Sequence, residues 1–128
     1  TGDVVIGCDT VVELNGTTLG KPHGRAEAIE MLSALSGNIH FVHTGVCIHT
    51  PNISPLIFSE TTEVHFAPIP PAEIDIYAHT EEPYDKAGGY GIQGWAARFI
   101  PRINGCYYNV MGLPVPALYS RLRQTGNL

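Results

Sequence analysis

The chain's densest set of chemically useful residues lies in residues 82–94, called here the glycine loop. It combines the adjacent charges of Asp85 and Lys86, the amide of Gln93 and four glycines. Those glycines are Gly88, Gly89, Gly91 and Gly94. Glycine permits positive φ and lets a backbone approach a bound group closely, which an ordinary surface turn does not need four times. We therefore predict a ligand-binding loop; a Gly-rich connector between two strands is the alternative.

Glu60 is a second candidate, because its position conflicts with its charge. A period of two over residues 57–66 places Glu60 on an otherwise mostly apolar strand face. The other members of that face are Phe58, Thr62, Val64 and Phe66. Burying an unpaired carboxylate is unfavourable, so we expect a cation, a metal-bound water or backbone donors beside it. Structural pairing and a direct role in a site are equally consistent with this pattern.

These residues need a scaffold, and the hydrophobic pattern predicts one. Two β-branched runs, residues 4–7 and 11–14, predict a core strand in a sheet covered on both faces, interrupted at Asp9 and Thr10. The pair Asn15 and Gly16 predicts a turn into a returning strand. Further strands are predicted at 38–50, 57–66 and 95–103, and helices at 25–35, 72–79, 105–111 and 114–123. The fold class is α/β.

Composition narrows the class of protein. The 128 residues, 44% hydrophobic and 15% charged, fit one globular domain. A net charge of -5 with only seven Lys and Arg argues against a nucleic-acid surface, although a small anionic ligand remains compatible. No apolar run is long enough to span a membrane and the first residues do not resemble a signal peptide, so we predict a cytoplasmic protein without membrane contact.

The cysteines and histidines do not suggest a zinc site. Three widely spaced cysteines, Cys8, Cys47 and Cys106, are expected to be buried free thiols. The six histidines show neither HxxxH nor HExxH spacing. The chain also lacks a GxSxG motif and a P-loop.

Several segments, taken in order, resemble one family. They are IGCDTVV at 6–12, LGKP at 19–22, ML and LSG at 31–37, TGV at 44–46, ETTEV at 60–64, the glycine loop, and NVMGLP at 109–114. Their order and spacing resemble the Maf family of nucleoside-triphosphate pyrophosphatases. The amino-acid sequence of the glycine loop resembles the branch of that family that acts on dTTP and UTP. The resemblance implies a mixed twisted sheet with flanking helices, similar to inosine-triphosphate pyrophosphatases, a cleft between two lobes, Mg²⁺ or Mn²⁺ as cofactor, and a homodimer.

The resemblance also assigns site residues. Asp9 matches the catalytic and metal-binding carboxylate, Lys21 the phosphate-side lysine, and Gln93 the glutamine at the end of the loop. Glu60 matches an acidic position of the family pattern, and we predict that Glu60, Asp85, Lys86, Gly88 and Gly89 bind substrate. Asp9 would bind the metal or accept the proton of the attacking water, while Lys21 and Gln93 would contact phosphate or orient water. The products would be a nucleoside monophosphate and pyrophosphate.

Each assignment has a structural alternative. Asp9 could cap a turn, Lys21 could be a solvated surface residue, and Asp85 could simply pair with Lys86. The family also carries a Ser-x-Ser-Pro-Arg-Arg phosphate loop ahead of the segment found here, so residues 1–128 are expected to be one Maf-like domain lacking that N-terminal strand, loop and helix. This favours an inactive nucleotide-binding or regulatory module as one alternative function. A purine-directed pyrophosphatase acting on inosine or xanthosine triphosphate is another.

Overall fold

A computed structural model describes residues 3–126 as one five-stranded antiparallel sheet with helices packed on it. The strand order is β2-β1-β3-β4-β5. The strands are β1 Val5–Leu14, β2 Thr17–Leu19, β3 Ile39–His49, β4 Leu56–His65 and β5 Arg102–Asn104. The helices are α1 Arg25–Leu35, α2 Pro71–Ala78, α3 Tyr107–Met111 and α4 Val115–Gln124, with short 3₁₀ helices at Glu82–Asp85, Ala87–Gly89 and Trp95–Phe99. Thr1, Gly2, Asn127 and Leu128, the ends of the predicted domain, lie outside the described residues.

The central strand β3 shows which face of the sheet is buried. Its alternate residues from His40 to Ile48 are buried, and the residues between them are exposed or half-buried. One core cluster joins this face to α1, α2 and the glycine loop, and a second joins its far end to Leu118 of α4. The sheet therefore supports the glycine loop and α4 on the same face. Within the described residues, no helix is long and apolar enough to cross a bilayer.

Two predictions about β1 were wrong. The strand runs without interruption through Asp9 and Thr10, because Asp9 pairs with Gly45 and Thr10 with Thr44 of β3. The first part of β1 is also not covered on both faces by the described residues: Val5 is 57% exposed. The turn after it was predicted correctly, and Asn15 and Gly16 both have positive φ, 51° and 82°.

The segment at 95–103 was predicted as one strand, but only its end is extended. Trp95–Phe99 forms a 3₁₀ helix, in which the Trp95 ring stacks on Tyr77 of α2 at 4.0 Å and 8°. Packing against α2 outweighs the strand preference of these aromatic residues. The strand β5 begins after Pro101 at the edge of the sheet, as proline requires.

The three cysteines were predicted to be buried free thiols. They are free, but none of them is buried. Cys8 is exposed, and Cys47 and Cys106 are half-buried. Cys8 lies in the exposed part of β1, where burial by a neighbouring element is not observed among residues 3–126.

Candidate functional site

One cavity of about 570 Å³ collects most of the predicted site residues. It lies between the middle of β1, the second residue after β2, the glycine loop and the end of α3. Five predicted site residues line it: Asp9, Lys21, Asp85, Lys86 and Gln93. Thr10, Val12, Val42, Glu82, Tyr90 and Met111 are among the other lining residues. The cavity thus joins residues from both halves of the chain.

Asp9 is presented to this cavity by an unusual part of the sheet. The short strand β2 pairs only with Val12, Glu13 and Leu14, so Asp9 lies beyond its end. Within the described residues the backbone around Asp9 is paired only on the β3 side, and the residue is exposed. Because Asp9 lies inside a continuous strand, the alternative that it caps a turn is excluded.

A buried polar network attaches α3 to the sheet beside Asp9. The hydroxyls of Thr10 and Thr44 are 3.0 Å apart, and Thr44 donates to the backbone oxygen of Asn109 at 3.3 Å. The fully buried Asn109 amide donates to the backbone oxygen of Val42 at 3.1 Å and to Thr62 Oγ1 at 3.0 Å. Buried polar groups need such partners, so this network fixes the α3 side of the cavity.

Asp85 and Lys86 form an ion pair at the cavity wall. Lys86 Nζ lies 2.9 Å from Asp85 Oδ1. The hydrogen bond from Lys86 and its charge lower the pKa of Asp85, and the charge of Lys21 contributes in the same direction. The predicted structural pairing is therefore present, and the pair still faces the cavity together with Lys21.

Two of the loop glycines anchor the loop rather than line the cavity. Gly88 has φ +79°, its N–H donates to the Gly20 oxygen at 3.1 Å, and a Cβ there would lie 3.1 Å from Val12. Gly89, with φ +80°, packs against Pro22. Both are buried. Their predicted contact with substrate stays a prediction, because their observed contacts are with the β1–β2 hairpin and the residues after it.

The other two loop glycines make room for charged side chains of the loop itself. A Cβ at Gly91 would lie 2.9 Å from Lys86 Cε, and one at Gly94 would lie 2.9 Å from Glu82 Oε2 and closer still to Oε1. Any larger residue would displace these side chains. The glycines at these two positions thus have a structural cause, the space that they leave for side chains of the loop.

Glu82 is a cavity residue to which the sequence assigned no role. Its carboxylate accepts a hydrogen bond from the Tyr77 hydroxyl of α2. Burial, followed by the carboxylate of Glu82, raises the pKa of Tyr77, so the phenol stays protonated and remains the donor. The contacts with Tyr77 and Gly94 distinguish Glu82, and no short-range sequence pattern indicates them.

A buried histidine supports the loop from below. His40 Nε2 lies 2.5 Å from the Tyr90 hydroxyl oxygen, and the His40 ring stacks on Phe66. Burial and the neighbouring His65 lower the pKa of His40 to about 4, while burial raises the pKa of Tyr90. Both groups are therefore neutral near pH 7 and act as a fixed support for the loop. Tyr90 is buried and belongs to the core cluster.

Glu60 does not line the cavity. It is half-buried, pairs with Thr44 in the sheet register, and its carboxylate has no ion-pair or hydrogen-bond partner within residues 3–126. The expectation of a dedicated partner was wrong for the part of the chain described, because partial exposure lets water solvate the charge. Its substrate-binding role stays a prediction.

The donor set suits a divalent cation held jointly with phosphate. No group of three His, Cys, Asp or Glu side chains in the described chain forms a preformed metal cage. Mg²⁺ in nucleotide sites is usually held by one or two carboxylates, substrate phosphates and water. Asp9 is exposed, lines the cavity and has no side-chain partner among these residues, so it fits that requirement.

Comparison with known proteins decides the family. The family model described as Maf-like protein matches residues 1–125. The chain belongs to the Maf-like protein family. This confirms the resemblance that the motifs carried, and the observed sheet with flanking helices agrees with the expected α/β class.

Curated relatives of this Maf-like chain carry a specific name. A dTTP/UTP pyrophosphatase of Carboxydothermus hydrogenoformans is 49% identical over 124 residues, covering 96% of this chain and 67% of the relative. Proteins of the same name from Clostridium perfringens and Clostridium novyi are 49% identical over 120 residues and 50% over 117, covering 93% and 91% of this chain. This chain covers 62% and 61% of those two proteins, so it spans roughly three fifths to two thirds of its relatives' length.

Proposed function

We propose that this Maf-like chain is the nucleotide-binding and catalytic part of a pyrophosphatase that converts dTTP and UTP to the monophosphate and pyrophosphate. The observation that carries the proposal is the single cavity in which Asp9, Lys21, Gln93 and the Asp85–Lys86 pair meet. The name of the relatives, each about half identical in sequence, supplies the substrates. A cavity of about 570 Å³ falls within the range of small-molecule sites.

The polar and charged residues of the cavity have separate roles in the proposed reaction. Lys21 and Lys86 supply positive charge for the phosphates, with Asp85 holding Lys86 in place. Gln93 is exposed at the rim, where its amide can donate to a phosphate oxygen or orient water. Asp9 supplies the carboxylate that accepts a proton from the attacking water.

The proposed reaction is a displacement at the α phosphorus. The water oxygen forms a bond to that phosphorus, and the bond from it to the α–β bridging oxygen breaks. Pyrophosphate leaves with the bridging oxygen, and one water proton passes to Asp9. A divalent ion, Mg²⁺ or Mn²⁺, would be held by Asp9 and the triphosphate, and when bound it neutralises charge on the phosphates. The expected binding partner is a nucleotide. We also expect the protein to be cytoplasmic and to form a homodimer.

Pyrophosphate release by matched aspartate variants tests this proposal. Asp9→Asn is expected to lower release from UTP by at least 100-fold while the protein stays folded, since general acid–base groups contribute about 10²–10⁴-fold. Asp75→Asn, on the exposed side of α2, is the control and should release pyrophosphate normally. Equal activity of all three proteins would contradict the role of Asp9.

A substrate panel tests the two alternative functions. Nucleotide binding without release by the unaltered chain would favour the inactive binding module. Preference for inosine or xanthosine triphosphate over UTP would favour the purine enzyme.

A further inference from the structure

Glu82 holds its carboxylate in a fixed position at the cavity wall. Tyr77 is only 2% exposed, and its hydroxyl donates a hydrogen bond to the Glu82 carboxylate. The Trp95 ring stacks flat on Tyr77 at 4.0 Å and prevents it from rotating away. One carboxylate oxygen is therefore anchored by α2, and not by any part of the cavity.

The second oxygen, Oε1, is available to a ligand. It has no hydrogen-bond or ion-pair partner within residues 3–126, and Glu82 lines the cavity. It packs over Gly94, where the absence of a side chain leaves room for the Glu82 carboxylate. An unpaired carboxylate oxygen held in this position recognises a donor and disfavours a lone pair or a phosphate oxygen.

The other two carboxylates that line the cavity have roles at the phosphates in the proposed function. Asp85 pairs with Lys86 at 2.9 Å, and Asp9 is the carboxylate assigned to the reacting water. Uracil and thymine share a donor that cytosine lacks, the imide N3–H, where cytosine has a lone pair. The 3′-hydroxyl is also a donor, but every ribonucleotide and deoxyribonucleotide carries it, so it gives no selection among bases.

We propose that Glu82 accepts the N3–H of uracil or thymine and is the specificity-determining residue of this site. The inference rests on the proposed function for its substrate class. Tyr77 is a positioning residue, which acts by fixing the orientation of the Glu82 carboxylate. Cytosine nucleotides are rejected because their N3 lone pair would face an anionic oxygen.

Selectivity measurements on a Glu82 variant test this inference. Glu82→Gln keeps the side-chain size but removes the charge and offers an N–H donor. The ratio of kcat/KM for UTP over CTP should fall at least tenfold, because hydrogen bonds to charged groups contribute roughly 10- to 100-fold. In the unaltered chain, UTP methylated at N3 should react as poorly as CTP. Glu81→Gln, at the neighbouring exposed carboxylate, should keep the original ratio.

Binding of UMP and CMP, measured by calorimetry on the same proteins, separates the two hypotheses. If the unaltered chain discriminates between UMP and CMP and Glu82→Gln does not, the inference about Glu82 is supported. Absence of pyrophosphate release would contradict only the proposed function. An unchanged UMP preference, an equal loss for both nucleotides, or no discrimination in the unaltered chain would overturn the role of Glu82.

A second variant tests the positioning role of Tyr77. Tyr77→Phe removes the hydroxyl and keeps the ring that stacks on Trp95. The UTP-over-CTP ratio should fall several-fold with little change in kcat for UTP, because only the orientation of the base acceptor is loosened. Tyr84→Phe, which removes a hydroxyl bonded to the Ala78 oxygen, is the control. A fall in kcat at a constant ratio would contradict positioning.

Discussion

His40 Nε2 lies 2.5 Å from the hydroxyl oxygen of Tyr90, in the interior between the central strand and the glycine loop. His40 is fully buried and its Nδ1 atom has no partner among the described residues. The pair therefore links the sheet to the loop that forms one cavity wall. It also makes the stability of the protein sensitive to acid, because a proton on His40 would have to be buried.

The first prediction concerns pH. The folded pKa of His40 is about 4 and its ordinary value is 6.5, so below pH 6.5 the unfolded chain binds a proton that the folded chain does not. Stability is thus complete above pH 6.5 and is lost as pH falls toward 4, by about 2.5 kcal/mol between pH 7.5 and 4.5. Urea unfolding should show this fall in the free energy of unfolding for the unaltered chain and for His79→Gln. For His40→Gln, the slope of the free energy of unfolding against pH should be smaller by the equivalent of about one proton. Equal slopes for all three would refute the assignment.

The second prediction concerns Gly94 and Glu82. Gly94→Ala places a methyl group against the Glu82 carboxylate and should lower the free energy of unfolding by about 1–3 kcal/mol, the usual range for overpacking. In a Glu82→Ala background most of that loss should vanish, because the crowded atoms are gone. A double-mutant cycle by urea unfolding measures the coupling, and strictly additive effects would show that the clash is elsewhere.

The third prediction concerns Gly88. Its φ of +79° and the nearby Val12 both oppose a side chain, so Gly88→Ala should destabilise the fold by about 1–3 kcal/mol. Gly7→Ala has nothing within 4 Å of the added methyl and should change stability by less than about 0.5 kcal/mol. Thermal unfolding of the two variants checks the difference. Similar transition temperatures would argue against the anchoring role of Gly88.

The fourth prediction concerns Asp85. Because Lys86 is the main cause of its lowered pKa, Lys86→Met should raise the Asp85 pKa toward its ordinary value. Lys21→Met should raise it less, since Lys21 contributes the smallest share. Carboxyl carbon chemical shifts followed through an NMR pH titration give both values. A larger effect from Lys21 would mean that the loop adopts another arrangement in solution.

Much of the fold was predictable because its determinants are local. Helix α1 was predicted with its observed bounds, since Ala28, Leu32 and Leu35 recur on one face and Gly37, with φ +68°, ends it. The hairpin at Asn15 was predictable for the same reason. The 3₁₀ helix at Trp95–Phe99 was not, because it depends on stacking against Tyr77 from a separate element.

Some residues of the candidate site were likewise predictable from the sequence and others were not. Asp9, Lys21 and Gln93 were identified by motif resemblance, and the structure brings them to one cavity. Glu82 was overlooked as a site residue because its importance arises from contacts with Tyr77 and Gly94, and neither spacing nor residue type indicates those contacts. Strand alternation indicates the face of Glu60 but not its partial exposure, and its substrate-binding role stays a prediction.

The most direct test of the proposed function is product analysis after incubation of the chain with UTP and Mg²⁺. Chromatography should show UMP and pyrophosphate in equal amounts, formed by the unaltered chain and by Asp75→Asn but not by Asp9→Asn. Formation of UDP and phosphate, or UMP formation that persists unchanged in Asp9→Asn, would contradict the proposal that this cavity cleaves the α–β bond with Asp9.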